Sequence, residues 1–98
     1  MASFVVETFV AADVPDRFAA DVEGIRKAAK AKNVDGPFHV VRSYFVPGDE
    51  MGFHVVEAAS AEHVARVVAL AGIEVERIVE AIGVEPGHPV DAPSEGPI

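Results

Sequence analysis

The sequence predicts an α+β fold in which one four-stranded antiparallel sheet carries two helices on one of its faces. Three observations lead to this prediction. Runs of β-branched and aromatic residues, which are typical of strands, recur four times along the chain. Segments with a helical spacing of apolar residues separate the first run from the second and the third from the fourth. A Pro-Gly-Asp turn at residues 47–49 joins the two middle runs, as in a β-hairpin.

The first strand is predicted over residues 3–10, where Glu7 is the only charged side chain. A helix is predicted over residues 15–32, because Asp13 is a suitable cap and a proline suits the first helical turn. Lysines crowd the end of this segment, where the helix dipole favours cations. The apolar residues with helical spacing are Phe18, Val22, Ile25 and Ala29.

The hairpin joins strands predicted over Phe38–Val46 and Met51–Ala58 through a loop at residues 47–50. Ser60 is the expected N-cap of a second helix, and Gly72 is a suitable residue to follow its end. The buried stripe of this helix is predicted to contain Val64, Val67, Val68 and Ala71. Residues 76–82 alternate in polarity and predict the fourth strand. Residues 1–82 therefore form one domain, and residues 83–98 are expected to be a mobile C-terminal tail rich in Pro and Gly.

The element order β-α-β-β-α-β is that of the ferredoxin-like plait, and right-handed crossovers place the first and third strands at the centre of its sheet. The first strand is apolar on both faces, with Phe4 and Val6 on one and Val5 and Phe9 on the other. A second apolar face needs a cover. We therefore expect a homodimer through the open sheet face, giving a dimeric α+β barrel, with an edge-strand dimer as the alternative.

Composition excludes several classes of function. The net charge of −8 argues against nucleic acid and against anionic membrane surfaces, because no basic stripe is available. The absence of cysteine excludes thiolate catalysis and cysteine-ligated metal centres. No signal peptide pattern and no apolar run of about 20 residues is present. The expectation is a soluble cytoplasmic protein.

The length of the hairpin loop predicts which polar residues share a face. Val46 lies opposite Met51 in this register, so Arg42 is opposite Val55 and diagonal to Glu57. A bulge at either glycine of the hairpin would exchange the two faces. The open face is then expected to carry Glu7, Arg42, Tyr44 and Glu57 among apolar residues that include Val5, Phe9, Val40, Phe53 and Val55.

A polar cluster among apolar residues is the usual composition of a small-ligand site. Arg42 would hold an anionic group, and Tyr44 would hydrogen-bond and stack. The carboxylates of Glu7 and Glu57 would orient the arginine, supply acid–base chemistry, or bind a divalent cation with His54 as a further ligand. The structural alternative is a salt-bridge network inside a dimer interface.

The spacing of the histidines gives little support for a metal site, because no HxH, HxxxH or HExxH spacing exists. His54 is predicted opposite Ser43 on the face covered by the helices. A structural contact is the simpler interpretation of this pair.

Four short segments resemble a small bacterial family of domains of unknown function, best known from an actinomycete nickel-binding protein. They are Val6-Glu7, Arg42-Ser43-Tyr44, Val56-Glu57-Ala58 and the stretch at residues 71–78. The resemblance covers roughly residues 3–82. It implies a ferredoxin-like fold, a homodimer and, in the nickel-binding member, a histidine-rich metal site.

The sequence departs from the nickel-binding member at its histidines, whose positions are occupied here by Glu7, Thr8, Val68 and Ile73. Glu57 does match. A divalent metal such as nickel would therefore need carboxylates together with His39 or His54. The first hypothesis is a non-enzymatic dimeric binding module for a small ligand or a divalent metal. The alternatives are a cofactor-less dimeric α+β-barrel enzyme, similar to small monooxygenases or isomerases, and a purely structural dimer.

Overall fold

The computed structural model describes residues 1–31 and 36–83. Adjacent strands of its sheet are antiparallel and follow the order β2-β3-β1-β4. This arrangement confirms the predicted ferredoxin-like α+β fold. Apart from Gly83, the predicted tail lies outside the described residues. The elements in chain order are β1 (Ala2–Phe9), α1 (Pro15–Ala29), β2 (Phe38–Val46), β3 (Met51–Ala58), α2 (Ala61–Leu70) and β4 (Val75–Ala81).

Helix α1 differs from its prediction at both ends. Val14, not Asp13, occupies the N-cap position, and no side chain caps the helix there. Pro15 begins the helix as predicted, because its missing N–H would have no intrahelical partner. The helix ends at Ala29, with Lys30 as the C-cap, whereas the sequence predicted an end at Lys32, which lies outside the described residues.

The core lies between the two helices and one face of the sheet. The strands contribute alternate residues to it, because successive side chains of a strand point to opposite faces. The helices contribute the residues spaced by three and four positions. The buried members of this core include Phe4, Val6, Ile25, Val56, Val64 and Val67.

The cap of helix α2 is the predicted one. The Ser60 hydroxyl accepts a hydrogen bond from the backbone N–H of His63 at 3.1 Å. We expect Ser60→Ala to lower the free energy of unfolding by about 1 kcal/mol, because it leaves that N–H without its partner. Urea denaturation measures the change. Ser60→Asp is the control and should retain most of the stability, since aspartate also caps; equal losses in both variants would contradict the capping role.

Between the loop and Arg42, the hairpin has the predicted register, and Arg42 lies opposite Val55. Beyond this residue the ladder shifts, and Val40 lies opposite Val56. The bulge is therefore at Val41 rather than at either glycine of the hairpin. The prediction that Val40 belongs to the open face is wrong, because the extra residue returns Val40 to the face that the helices cover.

Within residues 1–31 and 36–83, no helix has the length and apolar character needed to cross a lipid bilayer.

Candidate functional site

The open sheet face, the side of the sheet away from the helices, brings the four predicted ligand-binding residues onto one surface. Each cross-strand row contains one residue from each strand. One row contains Tyr44, Phe53, Glu7 and Arg77, and the next contains Arg42, Val55, Val5 and Val79. A third row contains His39, Glu57, Ser3 and Ala81. The predicted residues therefore share a face but are spread over three rows.

Glu7 forms an ion pair with Arg77, which was not among the predicted site residues. The Nη2 atom of Arg77 lies 3.0 Å from the Oε2 atom of Glu7, and the Nε atom of Arg77 also donates to that oxygen at 3.3 Å. The two residues are directly opposed on β1 and β4. Glu7 shares the open face with Arg42, as predicted, but its carboxylate pairs with the directly opposed guanidinium of Arg77.

Arg42 and Glu57 do not form an ion pair among the residues that the structure describes. Glu57 lies opposite Ser3 on one side and His39 on the other. The bulge at Val41 separates the row of Arg42 from the row of His39. Arg42, whose strand β2 is at the edge of the sheet, also lines a groove beside helix α1.

The predicted metal ligands Glu7, Glu57 and His54 do not come together within one chain. Glu7 and Ser3 are four residues apart on β1, and Ser3 is the partner of Glu57, so about 13 Å of strand separates the two carboxylates. His54 lies on the opposite face of the sheet, in the core. The described residues contain no group of three or more metal-ligating side chains. Within the described residues of one chain, these three residues therefore do not form one metal site.

An apolar band crosses the open face at the hairpin end of the sheet. We define it as Val46, Met51 and Phe9, which form one row, together with Tyr44 and Phe53 of the adjacent row. Phe9, Tyr44 and Val46 are exposed. Scattered exposed apolar residues are common, but a contiguous patch of them is typical of an interaction surface.

His54 and Ser43 meet under the helices, as the hairpin register predicted. Ser43 Oγ and His54 Nδ1 are joined by a hydrogen bond of 2.8 Å. The imidazole is fully buried and stacks on Phe18, with ring centroids 5.0 Å apart. Burial lowers the pKa of His54 to about 4, because the protonated ring loses its hydration there. This histidine is therefore neutral at physiological pH.

The second nitrogen of this ring, Nε2, has no hydrogen-bond partner among the described residues. A buried polar atom without a partner costs free energy. Ser43 is therefore the polar contact through which the His54 ring is held in the core.

A groove between helix α1 and the edge strand β2 was missed by the sequence analysis. Two adjoining pockets, of about 440 and 380 Å³, share Arg26 and Val40 as lining residues. We call them together the α1–β2 groove. The first is also lined by Phe18, Val22, Glu23, Arg42 and Ser43, and the second by Lys30, Phe38 and His39. The available signal in the sequence was the spacing of Arg26 and Lys30, which places both on one helix face.

The charge of the α1–β2 groove is opposite to that of the whole chain. The net charge is −8, yet three of the eight Lys and Arg residues line this groove. Glu23 lies 4.0 Å from Arg26, but both side chains are exposed, so this pair is weak. The groove is thus a cationic surface on an acidic protein.

The order and pairing of the elements define a ferredoxin-like α+β domain. Its fold is similar to that in the crystal structure of SCO4226 from Streptomyces coelicolor A3(2), with a TM-score of 0.65. The two sequences are 22% identical over 86% of this chain and 100% of that one, so the likeness concerns the fold alone. No family model and no curated protein matches the chain.

Proposed function

We propose that this protein is a non-enzymatic homodimeric binding module in which the open sheet faces of two copies cover each other. The observation that carries the proposal is the apolar band, which exposes two aromatic side chains, Phe9 and Tyr44, on a sheet face that no helix covers. The ion pair of Glu7 and Arg77 supports it, because Glu7 can be covered without burying a carboxylate that lacks a counterion. The family resemblance of the sequence favours the same assembly.

The size of the open face is compatible with a dimer of modest affinity. Four strands spaced by about 4.8 Å and about eight residues long span roughly 19 by 26 Å. The flat area is then about 500 Å² per copy, or about 1,000 Å² for the pair, which is at the lower limit of specific interfaces. The aromatic residues of the apolar band are therefore expected to carry most of the affinity.

We expect Tyr44→Glu to convert the dimer to a monomer, because it places a carboxylate without a counterion in the apolar band. Sedimentation velocity over a concentration series measures the change. Leu70→Glu is the matched control: Leu70 is 46% exposed, as against 51% for Tyr44, but it lies at the end of α2 on the helix layer. A wild-type chain that stays monomeric at high concentration, or equal effects of both variants, would contradict the proposal.

We propose that the ligand is a small molecule. A divalent metal is the less favoured ligand. Two of the family's histidine positions are occupied here by Thr8 and Val68, which are both buried and supply no imidazole to a metal. His39 and Glu57 are directly opposed on the open face and are the donors that a dimer would contribute twice. Thermal melts with Ni²⁺ test this version, since a ligand at 100-fold its Kd adds about 2.7 kcal/mol. Unchanged melting with Ni²⁺ would exclude it.

A cofactor-less enzyme is the second candidate, because Ser43 lines the α1–β2 groove and is hydrogen-bonded to the neutral His54. Chemical change of a bound molecule, rather than its recovery intact after incubation, would favour this candidate.

For either function, the cytoplasm is the location that we propose, since a chain without cysteine needs no oxidising compartment.

A further inference from the structure

We infer that the α1–β2 groove binds a small organic carboxylate that has an apolar body. This inference rests on the proposed binding function and names the class of ligand and the place where it binds. The groove contains none of the residues of the apolar band, although Arg42 and His39 belong both to the groove and to the open face.

The cations of the groove come from two different elements. Arg26 is on α1 and Arg42 is on β2, and both line the larger pocket. Lys30, one turn after Arg26, lines the adjoining pocket together with His39. A guanidinium presents N–H donors in a planar fork that matches the two oxygens of a carboxylate. Two arginines that come from different elements and line the same pocket are therefore suited to bind one carboxylate.

The remaining surface of the larger pocket is largely apolar. Phe18 and Val22 come from α1, and Val40 comes from β2. Ser43 adds one hydroxyl, which is held by the buried His54 ring. Apolar walls with few polar groups, and a volume of a few hundred Å³, are the usual properties of small-molecule sites. A hydrated inorganic anion would make no apolar contact with these walls. The ligand is therefore expected to have a hydrocarbon part.

The overall charge of the protein adds selectivity. A net charge of −8 repels polyanions, whereas a compact monoanion can reach a local cationic surface within roughly a Debye length of about 8 Å. Glu23, at 4.0 Å from Arg26, competes with the ligand only weakly because it is exposed. These charges favour a ligand that has a single carboxylate.

Phenylacetate is the probe that tests the inference, because it combines one carboxylate with an aromatic body. Its neutral isostere phenylacetamide and inorganic phosphate serve as comparison ligands. Titrations followed by ¹H–¹⁵N NMR are expected to shift the amides of Val22 and Val40 saturably with phenylacetate. We expect phenylacetamide and phosphate each to bind roughly tenfold more weakly, because each lacks one of the two kinds of contact.

Two charge-removing variants on the same helix locate the site. Arg26→Gln is expected to weaken phenylacetate binding about tenfold. Lys27→Gln removes the same charge from a residue that lines neither pocket of the groove, and it should change the affinity by less than about twofold. Equal binding of the acid and the amide, equal effects of the two variants, or shifts confined to Val5 and Val79 of the open face would overturn the inference.

Sedimentation of the same samples separates the two proposals. A monomer that binds phenylacetate in the groove would disprove the dimer and support the carboxylate site. A dimer whose Val22 and Val40 amides do not respond would disprove the carboxylate site and leave the dimer intact.

Discussion

Lowering the pH from 7.5 to 4.5 is expected to reduce the free energy of unfolding by roughly 2.5 kcal/mol through His54 alone. The ring is fully buried and its pKa is lowered from 6.5 to about 4. The contacts of the ring include Ser43 and Phe18, and neither carries a charge that would stabilise the imidazolium. Protonation of this histidine therefore opposes folding.

The direction of the effect follows from the two pKa values. Above pH 6.5 the ring is neutral in both the folded and the unfolded chain, so its contribution to stability is fully present. Below pH 6.5 the unfolded chain binds a proton at His54, whereas the folded chain binds it only near pH 4. Stability is therefore lost as the pH falls through this window, by about 1.4 kcal/mol per pH unit in its middle.

Urea denaturation at several pH values between 4.5 and 7.5 measures this loss. His54→Gln cannot titrate in this range, so its stability should depend less on pH than that of the wild type, by the amount assigned to His54. His39→Gln is the control, because His39 is exposed and its replacement should leave the wild-type pH dependence in place. A His54→Gln curve parallel to that of the wild type would show that the buried ring does not control the acid loss.

Gly52→Ala is expected to cost about 3 kcal/mol of stability, although it adds a single methyl group. A Cβ atom at Gly52 would lie 2.6 Å from Cε1 of Phe18 and 2.8 Å from Oγ1 of Thr8. Thr8 is buried in the central strand, so it has little room to move. Phe18 stacks on both His54 and Phe45, so its displacement would disrupt the aromatic contacts between α1 and the sheet.

Gly48→Ala is the matched control, because this glycine lies in the loop of the same hairpin and a methyl group added there would have no neighbouring atom within 4 Å. Its stability should stay within about 0.5 kcal/mol of the wild type. Chemical denaturation of both variants, with near-UV circular dichroism as a probe of the aromatic packing, measures the difference. A Gly52→Ala variant as stable as Gly48→Ala would show that Phe18 can move aside without cost.

Local patterns in the sequence were sufficient to predict the elements of this fold. Strand-forming runs, a helical spacing of apolar residues and a Pro-Gly turn depend on neighbouring residues only, and each predicted element is present. The cap at Ser60 was predicted for the same reason. The N-cap of α1 was not: Val14 takes that position although Asp13 offers a better capping side chain.

The candidate site was predicted less completely. The loop length of the hairpin correctly placed Ser43 opposite His54 and Arg42 opposite Val55. The bulge at Val41 could not be predicted, because no glycine or proline marks it. This one inserted residue returns Val40 to the core face and puts His39 opposite Glu57.

The sequence by itself determined the order of the elements and the presence of two apolar sheet faces, because both follow from local patterns of residue type. Only the tertiary structure decided which charges meet. Arg77 pairs with Glu7 across 70 positions of sequence, and Arg42 lines the same pocket as Arg26 and forms no ion pair with Glu57 among the described residues. Such pairs depend on strand register and helix placement, which are set by the packing of the whole chain and by no short motif.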